Sequence, residues 1–340
     1  MWRLNIFKID TMNHSEPTGP LFTDPDPDAA RAFFRTKRVA FEEKVMSVSE
    51  AVGRFVVDGC YLASGGFGTN RIATAAIHEV VRQGREHLGF AGHTTTHDFQ
   101  ILCGGHVDGH RTIERLDSAY IIGLEARGLS PQARRVMESG DITVSEWSNF
   151  ALAARFRAAA AGLPFMPIRS LLGTDTLKRS AARVMDCPYT GKPTPVVPAL
   201  YPDVAFIHVH ESDVYGNARI RGISVADSDV ARASKRVILT TERIVSTEQI
   251  RSEPELTVIP SLCVDAVCEV PFGSYPGNMA GCYYSDETHL REWLDVERDE
   301  SEHRAFFRRL ILDTPDFEAY LDASGARDRL SELERLEVDP

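Results

Sequence analysis

No stretch of this chain stays apolar for long. The longest such run, Ala158 to Ile168, is broken by Pro164 and Pro167 and falls far short of the ~18 residues that a bilayer span requires. Residues 1–10 carry scattered charges and no long apolar centre, so they do not read as a signal peptide. Basic residues are the minority, 38 Lys and Arg against 49 Asp and Glu, for a formal charge of −11. That balance argues against nucleic acid or an anionic membrane as the main partner. Cys60, Cys103, Cys187, Cys263, Cys268 and Cys282 form no CxxC pair and no dense framework, the pattern of free thiols in a reducing cytoplasm. There is no GxxxxGK[ST] loop, no complete GxGxxG and no internal repeat. What remains is a globular chain of 340 residues, 43% hydrophobic and 26% charged, long enough to bury a sizeable core.

The most organised stretch runs from Asp58 to Gly84. It reads as a strand over 60–63, a glycine-rich bend over 64–70, and a helix in which Ile72, Ala76 and Val80 share one face. A strand entering a helix through small residues can leave backbone N–H groups free for a carboxylate, a phosphate or an oxyanion. A plain tight turn with no ligand fits the same residues.

Around this unit, short apolar runs alternate with helical patterns. Strands are expected at 87–91, 119–122, 142–144, 203–210, 237–241 and 263–270. Helices are expected from Ser47 or Ser49 to Phe55, and at 130–138, 148–161 and 227–233. The alternation predicts an α/β fold with an open, mostly parallel sheet and helices on both faces. Residues 1–43 form an expected N-terminal extension, flexible or loosely docked because 11–30 are rich in proline and acid. Residues 44–326 form the main domain and 327–340 a tail. Proline-rich 178–200 reads as an irregular surface excursion, and the acidic region from Asp286 as helical with a turn at Thr314-Pro315.

Several motifs in order resemble the A-type subunits of family I CoA-transferases, most closely the glutaconate type. They are DGCYLASGGF (58–67), RRVMESGDITVSEWS (134–148), AAAAGLPFMPI (158–168), DVAFIHVHESDVYGNARIRG (203–222), the run from TTERIV to GSYPG (240–277), and LDTPDFEAYLDASGA (312–326). The resemblance implies a CoA-transferase-like fold with a helical C-terminal tail, and pairing with a homologous second subunit of the B type. It implies CoA thioester as a substrate rather than a bound cofactor, and a glutamyl-CoA intermediate formed on that second subunit. The family's SENG nucleophile motif is missing here. Glu138-Ser139-Gly140 and Glu125-Ala126-Arg127-Gly128 are the nearest strings. The alternatives are a subunit of a thioester hydrolase or C–C-cleaving hydrolase of the same fold, and a non-catalytic ligand-sensing module.

By the same resemblance Gly65, Gly66 and Phe67 form the wall and turn of an acyl pocket, with Gly68 and Asn70 beside them. Arg71 suits a distal carboxylate, for which the acyl group would be a dicarboxylic one, or else faces solvent. His93, Thr95 and His97 replace a loop of small residues and are candidates to shape the pocket or move protons. Asn149 can orient a substrate or water, or is a helix N-terminal residue facing solvent. The H-x3-H pairs His93/His97 and His106/His110 have metal-ligand spacing. Three intervening threonines and the glycines Gly104, Gly105 and Gly109 oppose a helix there, so no metal is expected. His208 and His210 fall on one face of a buried strand.

Overall fold

The computed structural model of the protein describes residues 18–37, 40–107, 109–121 and 128–338. Its strands, in chain order, are β1 (Tyr61–Ser64), β2 (Leu88–Gly92), β3 (Ile113–Ser118), β4 (Thr143–Glu146), β5 (Phe165–Pro167), β6 (Arg183–Asp186), β7 (Pro193–Pro198), β8 (Val204–Ser212), β9 (Ala218–Arg219), β10 (Arg236–Ile244), β11 (Thr257–Ile259) and β12 (Ala266–Glu269). The order β12-β10-β8-β1-β2-β3-β4 is parallel throughout. β9 and β11 extend it antiparallel beside β8.

The central strands are buried on both faces, and their side chains divide between two cores with the strand period of two. Leu62, Val204 and Phe206 point to one core, and Tyr61, Ala63, Ala205, Ile207 and Val209 to the other. Helices Val48–Phe55, Thr74–Arg82, His97–Gly104 and Pro131–Glu138 cover the first face. The C-terminal helices Glu287–Val296, Glu300–Phe307, Phe317–Ala323 and Arg327–Val338 pack over them through Trp293, Phe307, Tyr320 and Leu330. Helices Asn149–Ala160 and Asp227–Ala233 cover the second face. The expected α/β architecture and helical C-terminal part are present.

Four local expectations fail for identifiable reasons. The strand expected at 119–122 lies at Ile113–Ser118 instead; Glu114, Arg115 and Asp117 hid it, and Ile122 lies outside the described residues. Residues 183–198 are not irregular: β5, β7 and β6 make a small antiparallel sheet with the proline-bearing β7 in its middle, where a proline carbonyl still accepts, as Pro195 O does from Ile168 N at 2.9 Å. A helix runs from His97 to Gly104 despite low polarity contrast between its faces, since all its residues are buried. Residues 18–37 are docked rather than loose: Gly19 N donates to Ser180 O at 3.0 Å, Phe22 stacks on Tyr61, and Lys37 Nζ pairs with Asp265 at 2.8 Å.

Candidate functional site

In a parallel sheet the C-terminal ends of the strands share one edge, and loops there can converge. The bend after β1, the 93–97 segment after β2 and the start of helix Asn149–Ala160 after β4 all lie at that edge. The bend itself is a tightly bonded turn. Gly65 N donates to Phe206 O (2.9 Å), Phe67 N to Asn70 O (3.0 Å), Gly68 N to Thr94 O (3.2 Å), Asn70 N to Phe67 O (2.9 Å) and Arg71 N to Asn278 O (2.9 Å). Gly66 N donates to Asp227 Oδ1 at 2.9 Å. Helix Thr74–Arg82 begins beyond the bend, with Ala75 N on Gly273 O. These amides are engaged inside the protein and do not form the anion cradle that the glycines suggested. Gly66 is required here: its φ is +81°, and a Cβ would stand 2.6 Å from Asn70 O.

Arg71 neither reaches a distal carboxylate nor faces solvent. It is fully buried, and its Nη1 and Nη2 meet Asp227 Oδ1 and Oδ2, each at 2.9 Å. Nη2 also donates to Ile223 O at 2.7 Å. Burial alone would raise the Asp227 pKa, but the Arg71 guanidinium and the Gly66 amide hold it below its ordinary value. Asp227 therefore stays ionised against the guanidinium, and the pair clamps the bend to helix Asp227–Ala233. Asp227 was invisible to motif reading, because nothing in its local sequence marks a carboxylate that will meet an arginine 156 positions away.

The 93–97 residues divide by direction. His93 is 7% exposed, packs its ring 5.8 Å from that of Phe67, and is kept neutral by burial. Thr95 turns inward and places both its N and Oγ1 on Tyr120 O (3.1 and 2.8 Å). His97 is buried 5.0 Å from the Trp293 ring, with Nδ1 against Gln100 Oε1 at 2.7 Å. Thr96 Oγ1 donates to Gly68 O at 2.7 Å, returning the bond that Gly68 N gives to Thr94. Asp98 locks this hairpin-like tie by accepting from Thr96 N (2.8 Å) and Phe99 N (2.9 Å). Of the three candidates, His93 stays beside Phe67, while Thr95 and His97 serve the scaffold.

Asn149 is the first residue of its helix, with Ser148 as the cap. Its Oδ1 is buried without a hydrogen-bond partner among the described residues. The helix is held by a buried cluster: Arg155 Nη1 and Trp147 Nε1 each meet Asp117 Oδ1 at 2.6 Å, and Tyr61 Oη donates to Asp117 Oδ2 at 2.5 Å. This cluster fixes β1, β3 and the Asn149 helix relative to one another. Asn70 faces the other way, accepting from Asn278 Nδ2 at 3.3 Å.

The other four histidines singled out in the sequence, His106, His110, His208 and His210, have protein partners. His106 Nε2 accepts from Ile113 N at 3.0 Å, and burial lowers its pKa to about 4. His110 pairs with Glu86 at 2.8 Å. His210 has Nε2 on Ala280 O (2.8 Å) and Nδ1 accepting from Arg221 N (3.1 Å), the neutral tautomer, and burial lowers its pKa to about 4. His208 joins Thr240 (2.8 Å) and Glu242 (2.7 Å), and Glu242 also accepts from Tyr283 Oη (2.7 Å) and Phe272 N (2.8 Å). Among the described residues no group of three His, Cys, Asp or Glu side chains has metal-holding geometry, and no helix is long and apolar enough to cross a membrane. Glu138 and Glu146 form surface ion pairs with Arg134 and Arg179; Glu125 lies outside the described residues.

A model of the coenzyme A transferase family matches residues 45–270. An uncharacterized protein of Archaeoglobus fulgidus is 47% identical over 97% of this chain and 72% of its own. The A-type subunit of glutaconate CoA-transferase from Acidaminococcus fermentans is 30% identical over 83% of this chain and 92% of its own. The crystal structure of that organism's glutaconate CoA-transferase superimposes with a TM-score of 0.80 over 86% of this chain and 95% of the matched chain. The A-type subunit of 3-oxoadipate CoA-transferase from Pseudomonas knackmussii is 32% identical over 82% of this chain and 96% of its own.

Proposed function

The chain belongs to the coenzyme A transferase family, and from that premise we propose that it is the A-type half of a two-subunit enzyme moving CoA between an acyl-CoA and a carboxylic acid. A glutamate of the second chain attacks the thioester carbonyl, the CoA thiolate leaves, and a mixed anhydride forms. The thiolate then attacks the glutamyl carbonyl and releases the carboxylate, leaving glutamyl-CoA for the acceptor acid to open. This chain contributes the bend, Phe67 and His93 as one wall of the site. CoA thioester is a substrate in this reading, with no resident cofactor or metal, and the free cysteines suit a reducing cytoplasm.

The observation that carries the assignment is the state of the carboxylates. Glu242, at the strand-end edge, is held by His208, Tyr283 and the Phe272 amide, while Glu138 and Glu146 are paired with arginines at the surface. Those three are committed within this chain and the sequence holds no SENG string, which supports a nucleophilic glutamate from a second chain.

The test is reconstitution with a co-purifying second subunit, followed by borohydride trapping during turnover with an acyl-CoA. Label on the partner's glutamate supports the reading. A trapped thioester on this chain, at Glu125, Glu138 or Glu146 above all, or robust transfer by this chain alone, would sink it. A second reading, hydrolysis of the thioester, is favoured by neutral His93 beside Phe67, a group able to take a proton from water. The ratio of CoA released to CoA transferred in the same assay separates the two.

A further inference from the structure

Resting on the transferase reading, we infer that the wall supplied by this chain selects an acyl group with no second carboxylate: an uncharged monoacyl chain. A carboxylate taken out of water needs a cation or several aligned N–H donors to offset its lost hydration. The Arg71 guanidinium and the Gly65, Gly66, Phe67 and Gly68 amides at the bend are engaged elsewhere. The Arg71 guanidinium is bound through both terminal nitrogens to Asp227, and the pair is wholly buried. Withdrawing Arg71 toward a substrate would strand the Asp227 carboxylate, so exchange of partners is opposed by the same desolvation. The Gly66 amide also serves Asp227, and the Gly65, Phe67 and Gly68 amides serve backbone carbonyls.

Arg221 is held through its Nη2 by Glu211 Oε1 at 2.7 Å, and Asp98 accepts from Thr96 N and Phe99 N; Phe67, His93, Phe150, Ile223 and Val225 are apolar or neutral. Phe67 and His93 lie ring to ring, and burial keeps His93 uncharged near neutral pH. Phe150 follows Asn149 at its helix start and is 58% exposed. Ile223, whose carbonyl receives Arg71 Nη2, is 57% exposed, and Val225 beside it is 36% exposed. These residues are joined to the bend by the Arg71 clamp and by the packing of helices Asn149–Ala160 and Asp227–Ala233. The glutaconate and 3-oxoadipate named for the relatives each carry two carboxylates. This chain's acyl group is assigned to a different class.

The experiment uses the purified two-subunit enzyme with length-matched pairs, butyryl-CoA against succinyl-CoA and valeryl-CoA against glutaryl-CoA, with acetate as acceptor. kcat/KM is expected to favour the monoacyl member by on the order of 100-fold. Ile223→Arg should narrow that ratio at least about tenfold, through a lower KM for the diacyl thioester. Preference for succinyl- or glutaryl-CoA would overturn the inference and leave the transferase reading standing. A ratio unmoved by Ile223→Arg, in an enzyme that still assembles and turns over, would overturn this placement of the acyl group. Failure to transfer CoA from either class would remove the transferase reading and this inference with it.

Discussion

A single arginine shows how far burial can redirect a side chain. In sequence, Arg71 stands one residue beyond a glycine-rich bend, where a guanidinium invites a substrate carboxylate. In the folded chain it adopts φ +59°, an unusual value for a non-glycine residue, and disappears into a clamp with Asp227. Removing one partner leaves the other charged and unpaired in the interior. Asp227→Ala should therefore cost about 3–5 kcal/mol in urea denaturation. The double variant Arg71→Met with Asp227→Leu should cost less than Asp227→Ala alone, because it strands no charge. Additive losses from the two sites would contradict the coupling.

At the scale of elements, the C-terminal helices meet the body through a buried carboxyl. Glu297, just past helix Glu287–Val296, accepts from Ser130 Oγ at 2.6 Å and lies near the Gln132 amide at 3.5 Å. The Gln100 side chain and Cys103 lie nearby, and Arg135 donates to its backbone carbonyl at 2.8 Å. From the neighbouring helix, His303 Nε2 stands 4.0 Å from Oε1, and burial lowers its pKa to about 4, so it carries no charge near neutrality. Burial raises Glu297 to about 7 from its ordinary 4.5. The native chain thus keeps a proton that the unfolded chain releases. Glu297's contribution to stability is intact below about pH 4.5 and is lost as pH rises through about 7. Glu297→Gln, which cannot ionise, should match the parent near pH 4.5 and exceed it by on the order of 3 kcal/mol at pH 8. Melting curves across that range would read it; a constant offset would show that Glu297 does not titrate there.

Across the whole molecule the last helix is part of the body, whatever the acidic composition of residues 327–340 suggests. Leu330 and Leu333 are each 6% exposed, Leu333 O accepts from Tyr284 N at 2.9 Å, and Arg329 pairs with Asp286 at 2.9 Å. Truncation after Ala326 should destabilise the chain by about 3–6 kcal/mol, the value of two buried leucines, and keep a single unfolding transition. Unchanged stability would return those residues to the status of a detached tail.

The sequence by itself determined the alternation of strand and helix, the parallel sheet, the bend at 64–70 and the helix at Asp227–Ala233. Each depends on local periodicity, on turn chemistry, or on apolar strands buried on both faces, and those signals are carried by neighbours in the chain. It also located the stretch around which the candidate site is built. It did not show that β3 would run through Glu114, Arg115 and Asp117, since a charged strand is stable only when distant partners neutralise it; for Asp117 these are Arg155, Trp147 and Tyr61. Nor did it show that Thr95 and His97 turn inward while His93 stays at the bend. A side chain's direction at a loop is set by which carbonyl or ring lies opposite, here Tyr120 and Trp293. The same holds for the bend amides and Arg71. Their residue types announce donors, but only tertiary packing decided that Asp227, Phe206 and Thr94 would take them, because unsatisfied donors are costly to bury and the nearest acceptors came from remote parts of the chain.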